Sequence, residues 1–187
     1  AIEKNKNENG TTKYKILLQS NVKDTSTNSS FVNIAPTNNL TLEIASYGQN
    51  RFTIDANKSD ENSGRVMYIG QKANVTLRNV NIEGGNLANG NGGAIYCSGT
   101  LNLVNSTISN SKAKNGGGIY IEKGDFTMNG GFIINHTAGI SRGGAIAVKE
   151  TALFTMNAGI ISGNSASSDG GGIYLFGSSQ GDKGRCI

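Results

Sequence analysis

The chain has 187 residues, 36% of them hydrophobic and 16% charged, which fits one domain with its own core and excludes a disordered composition. The formal charge of +4 is drawn partly from Lys4, Lys6, Lys13 and Lys15, and the rest of the chain is nearly balanced, so no basic face is expected to track a nucleic acid. No apolar run reaches the roughly 18 residues of a membrane-spanning helix, so no transmembrane helix is expected.

Twenty-seven glycines and 25 asparagines, against one proline and no tryptophan, suit many tight corners between short strands. Residues 1–10 are polar and read as a loose N-terminal segment. The chain opens at Ala1 without a basic-then-apolar leader, which fits a processed product. In residues 11–60, Tyr14 to Leu18, Phe31 to Ile34, Leu40 to Ile44 and Phe52 to Ile54 read as strands. This stretch lacks the phrase that marks the rest, and it reads as an N-terminal cap merging into a first coil.

Residues 61–176 carry an internal repeat. The blocks Gly92-Gly93-Ala94-Ile95, Gly116-Gly117-Gly118-Ile119, Gly143-Gly144-Ala145-Ile146 and Gly170-Gly171-Gly172-Ile173 start 24, 27 and 27 residues apart. A fixed period of this size marks coils that cannot bury their own apolar face and so stack on one another. After each glycine phrase the residues alternate in the manner of a strand: Ile95 in, Tyr96 out, Cys97 in. A degenerate earlier coil offers Met67, Tyr68 and Ile69.

A second strand points Val75 and Leu77, Leu101 and Leu103, Phe126 and Met128, then Phe154 and Met156 inward. Each ends on an asparagine, Asn79, Asn105, Asn129 or Asn157, expected to turn a left-handed corner and to bond the equivalent amide of the next coil. A third strand carries Ile82, Ile108, Ile133 and Ile161, and a looser loop returns to the glycines. The fold class is therefore all-β: a parallel β-helix of three strands per coil and about 24–28 residues per coil, right-handed by the usual crossover rule. In the pairs Gly92/Gly93, Gly116/Gly117, Gly143/Gly144 and Gly170/Gly171, a side chain is expected to crowd the neighbouring coil or forbid a positive φ. The tail, residues 177–187, is rich in Gly, Ser and charge and breaks the pattern.

The recurring phrases resemble the polymorphic outer membrane protein repeat, which alternates Gly-Gly-Ala-Ile/Leu/Val with Phe-x-x-Asn. Gly92 to Ile95 and Gly143 to Ile146 match the first tetrapeptide; Phe126 to Asn129, Phe132 to Asn135 and Phe154 to Asn157 match the second. The resemblance covers roughly residues 64–175. It implies a β-helix of the pectate-lyase-like superfamily and an adhesive passenger domain on a bacterial surface or outside the cell. It also implies host or surface protein or glycan as partner. The chain shows neither the membrane β-barrel segment nor the sorting signal of such proteins.

Several side chains bear on chemistry. Polysaccharide lyases and hydrolases on this scaffold need converging carboxylates. Between Gly84 and Phe176 the acids are Glu122, Asp125, Glu150 and Asp169, none repeated at one slot, and Glu122 aligns with Lys149 as an expected cross-strand ion pair. The chain is accordingly read as non-catalytic, with no cofactor and no metal expected, and a polysaccharide-active enzyme is the alternative. His136, the single histidine, reads as a solvated turn residue, and Cys97 as a small buried apolar side chain. Cys186 reads as a thiol in a flexible tail. The outward row Tyr68, Tyr96, Tyr120 and Tyr174, interrupted by Ala147, is the candidate ligand-binding feature, able to stack sugars, anchor a protein partner or stack on itself. Self-association through the C-terminal coil, giving fibres or a layer, is the second reading of function.

Overall fold

A computed structural model of the chain describes residues 2–6, 12–26, 29–36, 39–60, 63–177 and 184–187. Among them there is no helix: three sheets, almost wholly parallel, wind into a β-solenoid of about six turns. The first sheet holds Ser30–Ile34, Arg65–Ile69, Ile95–Cys97, Ile119–Ile121, Ile146–Val148 and Ile173–Leu175. Its register is the one the glycine phrases imply, with Tyr68, Tyr96, Tyr120, Ala147 and Tyr174 in one column.

The inward columns make the core. Met67, Ile95, Ile119 and Ile146 pile up on one wall; Val75, Leu101, Phe126 and Phe154 form another; Ile82, Ile108 and Ile133 form a third, every one at 0% exposure. Phe126 and Phe154 stack with ring centroids 5.0 Å apart. Each such side chain stabilises the fold by roughly 1.5–3 kcal/mol through burial, a gain no single coil collects alone.

The expected second and third strands are two pieces only in the early coils, as Ala73–Arg78 followed by Val80–Glu83. Later they fuse into ten-residue strands that bend without breaking: Thr100–Ser109, Asp125–Ile134 and Leu153–Ser162. Asn79 and Asn105 take the left-handed conformation at this bend, with φ of 52° and 46°. In the next two coils positive φ falls instead on Gly130, Gly131 and Gly159, where the register slips by a residue, because glycine makes that conformation at no steric cost. Asn129 and Asn157 still join by amide, Nδ2 of Asn157 donating to Oδ1 of Asn129 at 2.8 Å.

Two other expectations change. The return loop is a third, four-stranded parallel sheet made of Asn86–Asn91, Lys112–Asn115, Thr137–Ala138 and Ser165–Ala166. Its strands are short and polar, so they carry no apolar alternation in the sequence. Of the N-terminal segment read as loose, Ile2–Lys6 pairs antiparallel with Thr12–Leu18. At the other end most of the tail, residues 178–183, lies outside the described residues, but Arg185–Cys186 pairs parallel with Leu153–Phe154, so the pattern resumes there.

At Gly143 φ is +70°, and a Cβ would run into the Ile146 carbonyl. At Gly144 a Cβ would strike the Gly171 and Ser165 carbonyls of the following coil. The first glycine of each phrase thus sets the corner, and the second, in Gly93, Gly117 and Gly144, lets adjacent coils approach.

Candidate functional site

Outward on the first sheet runs an aromatic ridge. Tyr68, Tyr96 and Tyr120 stack face to face, with centroids 5.4 and 5.5 Å apart and ring planes within 12° and 21°. The parallel register that brings like residues to like places puts them one above the next. The gap at Ala147 is filled: Phe176, two places past Tyr174 and so on the same face, meets Tyr174 at 4.9 Å and Tyr120 at 6.2 Å, edge to face with both. Five rings therefore form one ridge, a continuity the sequence row broken at Ala147 concealed.

Cations line this ridge. The Arg65 guanidinium lies 5.3 Å from the centre of Tyr96, Arg142 5.0 Å from that of Tyr174, and the Lys149 ammonium 5.6 Å from that of Phe176. Each also has polar company: Arg65 donates to the Asn91 carbonyl at 3.1 Å, Arg142 pairs with Asp169 at 3.0 Å, and Lys149 pairs with Glu150 at 3.4 Å. The last corrects the expected Glu122–Lys149 pair. Glu122 acts on the phenols of Tyr96 and Tyr120 instead: burial, then this carboxylate, raises both above the ordinary tyrosine range, so the hydroxyls stay protonated donors. Tyr120 is 4% exposed; Tyr68, Tyr96, Tyr174 and Phe176 are half-buried.

A second polar feature, missed in the sequence, runs inside the corner between the long and return sheets. Here the side chain of each coil accepts the backbone N–H of the coil before it: Gly85 N donates to Ser111 Oγ at 3.3 Å, Ser111 N to His136 Nδ1 at 3.2 Å, and His136 N to Asn164 Oδ1 at 2.9 Å. His136 is therefore no solvated turn residue; it has no exposed surface, and its Nε2 lies 3.1 Å from the Ile108 carbonyl. With Nδ1 facing a donor and Nε2 facing an acceptor, the ring is neutral with its proton on Nε2. Burial pulls its pKa down to about 4 against weaker support from its two backbone partners. The sequence signal for this seam is the recurrence of polar residues at Ser111, His136 and Asn164, 25 and 28 residues apart, directly before the return strands.

One coil earlier, Lys58 sends its ammonium inward to Asp24 Oδ2 at 2.9 Å and to the Ser26 carbonyl at 2.8 Å, both side chains at or under 5% exposure. Burial alone would raise the Asp24 carboxyl, but Lys58 and the Ser26 N–H hold it below the ordinary range. The pair floors a polar cavity of about 420 Å³ that Thr25, Ser29, Asn57 and Asp60 help to line. Cys97 is buried among Ile69 and Ile121 in its column, its thiol pushed up to about 12 by burial, while Cys186 is exposed.

Fold and ridge together define a β-solenoid repeat protein with a broad aromatic face. Comparison with family models, with curated proteins and with solved structures found no match to this chain. Among the described residues no helix is long and apolar enough to cross a membrane.

Proposed function

We propose that this protein is a non-catalytic binding scaffold of the exported, surface-presented kind, an adhesin or passenger-type domain that engages a host or surface ligand through its first sheet. The observation that carries this reading is the ridge Tyr68–Tyr96–Tyr120–Phe176–Tyr174: five aromatic rings in line on one face, with three cations over them. Aromatic and arginine side chains on a rigid surface supply large contact area at small entropic cost, which is why they dominate binding energetics. The resemblance of the Gly-Gly-Ala-Ile and Phe-x-x-Asn phrases to the polymorphic outer membrane protein repeat supports the adhesive role and the extracellular or cell-surface location.

Replacing Tyr68 and Tyr96 with Ser together tests it. Adhesion to cultured cells, and retention on glycan and matrix-protein arrays, should fall at least about tenfold, since each ring contributes on the order of 1 kcal/mol or more. Unchanged binding by a variant that keeps its wild-type far-UV spectrum overturns the assignment to this face.

A further inference from the structure

The slot over Ala147 differs from the rest of the ridge. Of the six places in the column, Asn33 holds the first and tyrosine four of the others; the remaining one carries Ala147, fully buried, leaving Tyr120 and Tyr174 two rungs and so roughly 9–10 Å apart. Phe176 fills that space from the adjacent column, with Lys149 beside its ring. Its backbone is held in place, the N–H donating to the Val148 carbonyl at 2.8 Å and the carbonyl accepting from Gly184 at 2.8 Å.

The geometry states what kind of group fits. Phe176 crosses Tyr120 at 67° and Tyr174 at 85°, edge against face, whereas the tyrosines below lie nearly parallel. Edge-to-face contact matches the positive rim of one aromatic ring to the negative face of another. A pyranose binds an aromatic by laying its C–H face flat, and this slot offers walls for a ring standing upright between them. A neighbouring cation adds to the attraction for a π-system.

We infer that the slot above Ala147 is an acceptor for an aromatic side chain of a polypeptide partner, with Phe176 as the resident ring that such a side chain displaces. This rests on the ridge being a binding surface and narrows the ligand at this point of it to a phenylalanine- or tyrosine-bearing segment.

The test uses p-cresol, the tyrosine side-chain analogue, and methyl α-glucopyranoside, each titrated by NMR into the full chain. Phe176→Ala should bind p-cresol at least about tenfold more tightly than the wild type, because two aromatic walls become free. The glucoside should give no saturable shift. Adding Ala147→Tyr to Phe176→Ala rebuilds the row from the sheet and should abolish the p-cresol response. A readout that removes nothing complements these: 4-fluorophenylalanine in the otherwise unaltered chain, its Phe176 resonance assigned by loss in Phe176→Leu, should shift as p-cresol displaces the ring. Equal weak binding by wild type and Phe176→Ala, glucoside binding as tight as p-cresol, or a fluorine resonance that never moves overturns the inference. Because no adhesion assay is involved, these outcomes stand apart from those of the Tyr68/Tyr96 experiment.

Discussion

His136 accepts the backbone N–H of Ser111 from the preceding coil through Nδ1, at 3.2 Å, so a histidine does in one coil what a serine and an asparagine do in its neighbours. Corner N–H groups of a solenoid have no strand partner at the bend and cost free energy if left bare inside. The seam satisfies them with side chains from the next rung, and it makes one rung dependent on the protonation of a ring.

That dependence has a definite direction. The folded pKa of His136, about 4, lies below its ordinary value of 6.5, and the groups acting on the ring are two backbone partners with no charged neighbour among them. Above pH 6.5 neither state binds the proton and stability is unaffected; between 6.5 and 4 the unfolded chain takes a proton the seam refuses, so stability falls as pH falls. The full loss is roughly 3 kcal/mol. Urea melts at pH 7 and 4.5 should show it, and His136→Ser should flatten the slope across this window even if it lowers stability throughout. Identical slopes in the two proteins would contradict the buried neutral imidazole.

The same ring explains one glycine. A Cβ on Gly118 would lie 2.7 Å from His136 Cδ2 and 2.8 Å from the Ala145 carbonyl, yet Ala94 and Ala145 occupy the equivalent place in the coils on either side. The carbonyl contact is therefore tolerable and the imidazole is the obstacle. Gly118→Ala should cost about 1–3 kcal/mol in the wild type. In a His136→Ser background that cost should shrink by at least about 1 kcal/mol, a coupling read from a double-mutant cycle. Additive effects would show that the two residues do not share the space.

Gly143→Val places a branched side chain at a φ of +70° and against the Ile146 carbonyl, and should destabilise by roughly 3 kcal/mol. Gly172→Val is the control, since nothing lies within 4 Å of a Cβ there; its effect should stay within about 0.5 kcal/mol. Thermal midpoints that fall equally in both variants would dissociate the glycine phrase from the coil corner.

Asp24→Asn leaves the Lys58 ammonium buried without its counter-charge. The pair borders the polar cavity, so removing one partner should cost about 1–3 kcal/mol, whereas replacing both by apolar groups is often near neutral. Asp24→Leu with Lys58→Met should therefore melt closer to the wild type than Asp24→Asn does, as followed by circular dichroism. The reverse order would mean that the pair is exposed to water.

Legibility followed apolar periodicity. Met67, Ile95, Ile119 and Ile146 are recognisable as a buried column because alternating side chains and a repeating phrase place them without knowledge of the turns. The return strands, such as Lys112–Asn115, look like loop in sequence because lysine and asparagine carry no strand signal; backbone pairing with the neighbouring coil makes them strands. His136 departs from its expected place for a related reason. Its identity suggests solvent, and only the partners supplied by Ser111 and Ile108 make burial affordable.

The amino-acid order by itself determined the winding, the stacking register and the outward tyrosine column, because all three follow from the period of the glycine phrases and the two-residue alternation within a strand. Tertiary structure alone decided that Phe176 closes the row over Ala147, that a histidine and an ion pair belong inside the corner, and that Lys149 turns to Glu150. Those outcomes depend on which side chains meet across coils at a distance and angle, and a linear pattern carries neither quantity.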